Sequence, residues 1–139
     1  MDPNKIDRIR QSFAAQSMMA TLGAELARVT RGEVHITAPL LPGSLQQQGF
    51  AHAGLTFSIG DSSAGYAGLT TLPMDNEVVT AEIKINLLAP AMGDSLIAKG
   101  RVIKPGRRLI VVSSEIFVVT AGQEKLIAVM QGTMVPVPA

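Results

Sequence analysis

One carboxylate stands apart in this sequence. Between Glu33 and Asp75 the only formal charge is Asp61, and no Lys or Arg occurs between Arg31 and Lys84. Three and four residues away on a helix lie Phe57, Ser58, Ala64 and Gly65. Burying a lone carboxylate there is costly unless it is hydrogen-bonded, protonated or met from outside the segment. One reading is a structural acid satisfied by Ser58, Ser62 or backbone. The other is a nucleophile or general base, since isolated acids in apolar surroundings cluster at functional sites.

A second group lies upstream. His52 precedes a segment with the character of a helix, so the backbone N–H groups of Ala53 and Gly54 fall in its first turn, where no intrahelical acceptor exists. With the helix dipole behind them, such donors suit a carbonyl oxygen turning into an oxyanion. Seven residues from Gly54 to Asp61 correspond to about 10.5 Å of helix rise, too far for one carbonyl to touch both ends. If both groups serve one reaction, they must come from two copies of the helix lying antiparallel. The sequence therefore asks for a homodimer with two shared sites.

Cations gather elsewhere. Lys99, Arg101, Lys104, Arg107 and Arg108 lie in one short stretch, with no acid between Asp94 and Glu115. They bracket Pro105-Gly106, so two strands bring them to one hairpin end. This is either a solvated sheet edge protected from aggregation or an anion site for a phosphate-bearing ligand. His35 sits between Val34 and Ile36 and reads as a half-exposed strand residue. Ser62 and Ser63 lack a Gly-x-Ser-x-Gly elbow, which excludes a serine-hydrolase reading.

The elements that must hold these residues follow from pattern. Asp2 and Pro3 make a helix start, a carboxylate cap followed by proline at the first position. Ile6, Ile9 and Phe13 then mark a helix to about Ala20, with Lys5 off the stripe. Leu22 to Leu40 alternates around Arg31-Gly32 as a hairpin, and Leu40 to Phe50 is a loop with a short helical turn. His52 to Leu69 is apolar nearly all round, which predicts a helix buried on every side. From Val78 to Leu88 the alternation puts Val79, Ala81, Ile83, Ile85 and Leu87 on one face and Thr80, Glu82, Lys84 and Asn86 on the other. Strands at Leu96–Lys104, Leu109–Val119 and Leu126–Val135 complete an antiparallel meander. The fold class is α+β, one buried helix against a curved sheet.

Composition narrows the function. The 139 residues suit a single domain over 1–139, and 47% apolar content supplies a core. No cysteine is present, and two histidines make a multi-histidine metal site an unpromising reading. A net charge of +1, no Trp and one Tyr leave no footprint for nucleic acid. The polar, acidic opening Met1-Asp2-Pro3-Asn4-Lys5 is unlike a secretory signal, and no membrane span is predicted, so the expected location is cytoplasmic. A charged fraction of 17% is low, which fits either a well-packed core or a subunit that hides surface in an oligomer.

The run Gln46-Gln47-Gln48-Gly49-Phe50-Ala51-His52-Ala53-Gly54, then Asp61 and Ala64-Gly65-Tyr66-Ala67, resembles the hot-dog-fold acyl-CoA thioesterases of the phenylacetyl-CoA type. Thr80-Ala81-Glu82-Ile83-Lys84-Ile85-Asn86 with Pro90-Ala91, Gly106-Arg107-Arg108 and Gly132-Thr133 also fit, so the likeness covers about residues 20–135. The resemblance implies a hot-dog fold, an antiparallel sheet wrapped around one long central helix with an N-terminal helix, and active sites at a dimer interface. It implies Asp61 as nucleophile or general base, Ala53 N–H at the oxyanion position, and His52 and Gly54 shaping the turn. Gln46 falls where the family commonly carries Asn near the acyl carbonyl, and Thr80 where a Ser or Thr supports the attacking group. Lys104, Arg107 and Arg108 would meet the phosphates of coenzyme A, which enters as part of the substrate; no other cofactor and no metal is required. His-Ala-Gly replaces the family's common His-Gly-Gly, which keeps the backbone donor but adds a methyl group beside it. The implied activity is hydrolysis of an acyl- or aryl-CoA to free acid and coenzyme A, by a homodimer or a dimer of dimers. A non-catalytic acyl-CoA sensor on the same fold is the alternative.

Overall fold

A computed structural model describes residues 1–139. Its first helix, α1 (Pro3–Ala14), starts as the sequence requires: the Asp2 carboxylate accepts the Asn4 N–H at 2.9 Å, with Pro3 in the first turn. Ile9 and Phe13 face inward. Lys5, not Ile6, takes the third buried position, because its ammonium reaches the Leu72 carbonyl. The helix does not run on to Ala20. It ends at Ala15, Gln16 adopts an extended backbone, and a short α2 (Ser17–Thr21) restarts beyond it.

The hairpin forms as β1 (Glu25–Thr30) and β2 (Glu33–Pro39), turning through Gly32 at φ 78°. A 3-10 turn at Pro42–Ser44 leads to α3 (Ala53–Leu69), and β3 (Asn76–Leu87), β4 (Ser95–Lys104), β5 (Ile110–Thr120) and β6 (Gln123–Pro138) follow. All pairings are antiparallel, in the order β1-β2-β4-β5-β6-β3. The expected meander therefore holds only for β4, β5 and β6. After α3 has crossed the sheet, β3 joins the far edge beside β6, and β4 returns to pair with β2.

The sheet curls around α3, which touches every strand from β2 to β6. Leu55, Ile59, Ala64 and Ala67 of the helix pack on Val34, Ile36, Leu96, Ile110, Val112 and Ile116. The close approach needs small residues: a side chain at Gly60 would collide with the Met130 sulfur. Burial is not all round, however. Ala53, Gly54 and Phe57 are exposed, and Ser58, Asp61, Ser62 and Gly65 are half-buried. One curved sheet covers only one side of a helix, so the other side, including Asp61, stays uncovered in the single chain. No helix is long and apolar enough to cross a membrane.

Candidate active site

Asp61 lies on that uncovered side, in the middle of α3. Its side-chain hydrogen bond comes from β3: the Thr80 hydroxyl donates to Oδ1 at 2.8 Å. Ser58 instead donates to the Gly54 carbonyl at 2.7 Å, and no cation forms an ion pair with Asp61. Of the structural partners envisaged for this acid, Ser58 is engaged elsewhere and neither Ser62 nor backbone bonds it; what holds it is a single hydroxyl from a neighbouring element.

Simple alternation along β3 would turn Thr80 outward with Glu82 and Lys84. A β-bulge prevents this. Thr80 pairs with Met134 and Glu82 with Thr133, so Ala81 is an extra residue without its own partner. Before the bulge Val78 and Thr80 face α3; after it Ile83 and Ile85 pack on the core, and Val79 is 51% exposed. Gly132 makes the irregularity possible, since a Cβ there would fall 2.7 Å from the Ile83 Cβ. Thr80, Val78, Asp61, Ser62, Tyr66 and Met134 then line a cleft of about 240 Å³, which Ser12 and Gln16 of the N-terminal segment close at one end.

The start of α3 builds a second cleft, of about 550 Å³, lined by Gln46, His52, Ala53 and the segment Leu87–Ala91. Two backbone bonds anchor it: His52 N–H to the Ser44 carbonyl at 2.9 Å and Ala51 N–H to the Ala91 carbonyl at 3.0 Å. His52 caps the helix, its Nδ1 accepting the Gly54 N–H at 2.8 Å. That bond uses the Gly54 donor expected to face a substrate, and it explains the glycine: a Cβ at 54 would sit 2.9 Å from the same ring nitrogen. The Leu55 and Thr56 N–H groups turn to the His52 carbonyl, which leaves the Ala53 N–H as the first-turn donor without a partner in the chain. The Gln46 side chain folds over its own turn, exchanging hydrogen bonds with Gln48 while lining the cleft.

One chain therefore joins Asp61 to Thr80, and separately Gln46 to His52 and Ala53. It does not bring the two groups into a common cleft, in keeping with the separation along α3. The cationic stretch also divides. Lys99 pairs with Glu124 at 2.7 Å and lies over the Phe117 ring, while Arg101 approaches Glu115 at 3.9 Å. Lys104, Arg107 and Arg108 pair with no acid and surround a hollow of about 440 Å³ at the β4–β5 turn. Ser63 is sealed in the core against Ser114, and His35 is paired with Glu33 away from both clefts. Ser12 and Gln16 were missing from the sequence reading, and Tyr66 entered it only within the run Ala64-Gly65-Tyr66-Ala67. The polar i, i+4 spacing of Ser12 and Gln16 on the first helical stretch was the available signal.

The model of the thioesterase superfamily matches residues 48–124, more than half of the chain. The chain belongs to that superfamily. A thioesterase family protein from Silicibacter pomeroyi is similar to it at 36% identity and a TM-score of 0.94, over 97% of this chain and 99% of that one. The PaaI protein of E. coli, from the phenylacetic acid degradation operon, shares the fold at a TM-score of 0.85 and 20% identity, over 97% of this chain and 94% of that one. A Saccharolobus solfataricus relative, provisionally named an esterase, is 28% identical over 130 residues, 94% of this chain and 84% of its own. The architecture of this thioesterase-superfamily chain is the hot-dog fold, and the family's chemistry is hydrolysis of thioesters. Asp61, Thr80 and the β4–β5 turn fall inside the matched stretch. Gln46 and the whole of α1 and α2 fall outside it.

Proposed function

We propose that this chain hydrolyses an acyl-CoA thioester to a free acid and coenzyme A, with Asp61 as nucleophile or general base. The observation that carries this reading is a carboxylate without an ion pair, oriented by one hydroxyl at the wall of an open cleft. A structural acid would be satisfied from several sides; here the second oxygen remains free for water or a carbonyl carbon. As base, Asp61 takes a proton from water, whose oxygen adds to the thioester carbonyl; collapse of the adduct expels the thiolate, which is then protonated. As nucleophile, it forms a mixed anhydride with loss of thiolate, and water cleaves that anhydride. Both routes develop charge on the carbonyl oxygen, and both benefit from an N–H aimed at it.

Ala53 supplies that donor from a second subunit in this reading. The uncovered side of α3 carries Gly54, Phe57, Ser58 and Asp61, and β3 is an edge strand with Val79 and Leu87 exposed and Leu88 exposed just beyond its end. Apolar side chains on an unpaired edge favour pairing with another chain. With two copies antiparallel along α3, Asp61 and Thr80 of one subunit meet Ala53, His52 and Gln46 of the partner subunit. Lys104, Arg107 and Arg108 hold the phosphates of coenzyme A.

The test is thiol release from short, medium, long and aromatic acyl-CoAs by wild type and Asp61→Asn. We expect turnover in wild type and a loss of about 10²–10⁴-fold in Asp61→Asn, with binding retained. Tight binding without release in wild type would instead make the chain an acyl-CoA sensor.

A further inference from the structure

The uncovered side of α3 carries one bulky apolar side chain. Its other residues, Ala53, Gly54, Ser58, Asp61, Ser62 and Gly65, are small or polar, whereas Phe57 stands 38% exposed among them. The large apolar residues Leu55, Ile59, Tyr66 and Leu69 of the same helix are all buried. Phe57 lines neither the Asp61 cleft nor the Ala53 cleft and lies between them along the helix. A single exposed aromatic is ordinary on a protein surface. The position of this one is not.

Ala53, Phe57 and Asp61 are spaced i, i+4 and i+8, so they lie one above another on a single stripe of α3. From donor to acid is about 12 Å of helix rise, and Phe57 is the midpoint. In a two-fold pair of antiparallel helices, a residue a given distance above the axis faces the residue the same distance below it in the partner. Any register that brings the Ala53 N–H of one subunit to Asp61 of the partner subunit therefore places both copies of Phe57 at the axis, facing each other. Charge also favours a second copy on this face. The Asp61 carboxylate, which has no ion pair in its own chain, arrives at the positive, N-terminal end of the partner's helix. The small side chains at Gly54 and Ser58 let the helices approach to about 8–10 Å, the distance at which two such rings meet.

We propose that Phe57 is a positioning residue: it packs on its own copy at the two-fold axis, sets the register of the two α3 helices and forms the wall between the two active sites. The proposal rests on the shared-site reading above and names the contact that fixes it. Each ring stands about 6 Å along the helix from either reacting pair, so one aromatic pair holds both sites together. Without it the helices slide, and Asp61 of one subunit loses its alignment with Ala53 of the other while neither group is itself altered.

A residue that meets itself has a distinctive signature: like charges introduced there repel, and unlike charges attract. Phe57→Lys and Phe57→Glu are prepared separately and then mixed one to one, with dimer dissociation followed by sedimentation and turnover by thiol release from acyl-CoA. Each variant alone is expected to raise the dimer dissociation constant by about 10²-fold, and the mixture to recover the dimer with at least about tenfold the turnover of either. A merely structural role would leave the mixture no better than its parts. Because the chain has no cysteine, Phe57→Cys gives a second readout that does not depend on catalysis. Air oxidation is expected to link it into a covalent dimer, whereas Ser62→Cys, about 15 Å from its own copy along the helices, stays unlinked. If a charged variant fails to fold, the crosslink decides. A wild type that sediments as a monomer, charged variants that dimerise as wild type does, or no preference for crosslinking at position 57 overturns the proposal. Crosslinking at position 57 in a chain that cleaves no acyl-CoA leaves the helix pair standing and removes the thioesterase reading; cleavage without that crosslink does the reverse.

Discussion

The chemistry proposed for Asp61 depends on one hydroxyl. A hydrogen bond from Thr80 fixes one carboxylate oxygen and leaves the other for reaction, so removing it loosens the reacting atom without removing charge. A bond to an ionised carboxylate contributes about 1.5–3 kcal/mol, which corresponds to roughly ten- to 150-fold in rate. Thr80→Val is expected to lower kcat by roughly ten- to 150-fold with KM little changed, measured by steady-state thiol release. Away from the clefts, the His35 ring bonds Glu33 at 2.6 Å and holds its carboxyl below the usual carboxylate range. A depressed folded value means the unfolded chain binds the proton more readily, so the associated stability is present above the ordinary value of 4.5 and is lost as pH falls through the lower folded value. Urea unfolding between neutral pH and acid should therefore show a smaller acid loss in Glu33→Gln than in wild type.

Elements, not residues, decide whether Asp61 and Thr80 meet. The lone charge, the helix start at His52 and the basic turn were all legible, because each is a local matter of residue type and spacing. The direction of Thr80 was not. Alternation from Val78 to Leu88 is clean, and nothing in it marks Ala81 as the extra residue; the allowance for a bulge comes from Gly132, far along the chain on β6. The order of strands escaped the sequence for a similar reason, since β3 and β6 pair across most of the second half of the chain. The break after α1 falls at Gln16, whose side chain bonds Tyr66, again a distant partner. Gly132→Val tests the bulge. It should cost about 2 kcal/mol through overpacking, a fall in Tm of roughly 6–8 °C, and lower kcat further than Thr80→Val does. Calorimetry and thiol release on the same preparation measure both.

At the scale of the whole molecule, the proposed site is split along α3 into two halves that a second copy would complete. Asp61→Asn removes the acid from one half. Ala53→Pro removes the backbone donor from the other, at a first-turn helix position where proline is tolerated and after a residue already extended, at ψ 141°. Each variant alone should lose at least about 10²-fold in kcat while keeping its fold. The decisive measurement mixes the two after unfolding and refolding together. If each site draws Asp61 from one subunit and Ala53 from its partner, a hybrid dimer has one intact site and one doubly damaged, and random pairing returns about a quarter of wild-type activity. Activity that stays at the level of the separate variants, with hybrid dimers demonstrably formed, would contradict the shared site.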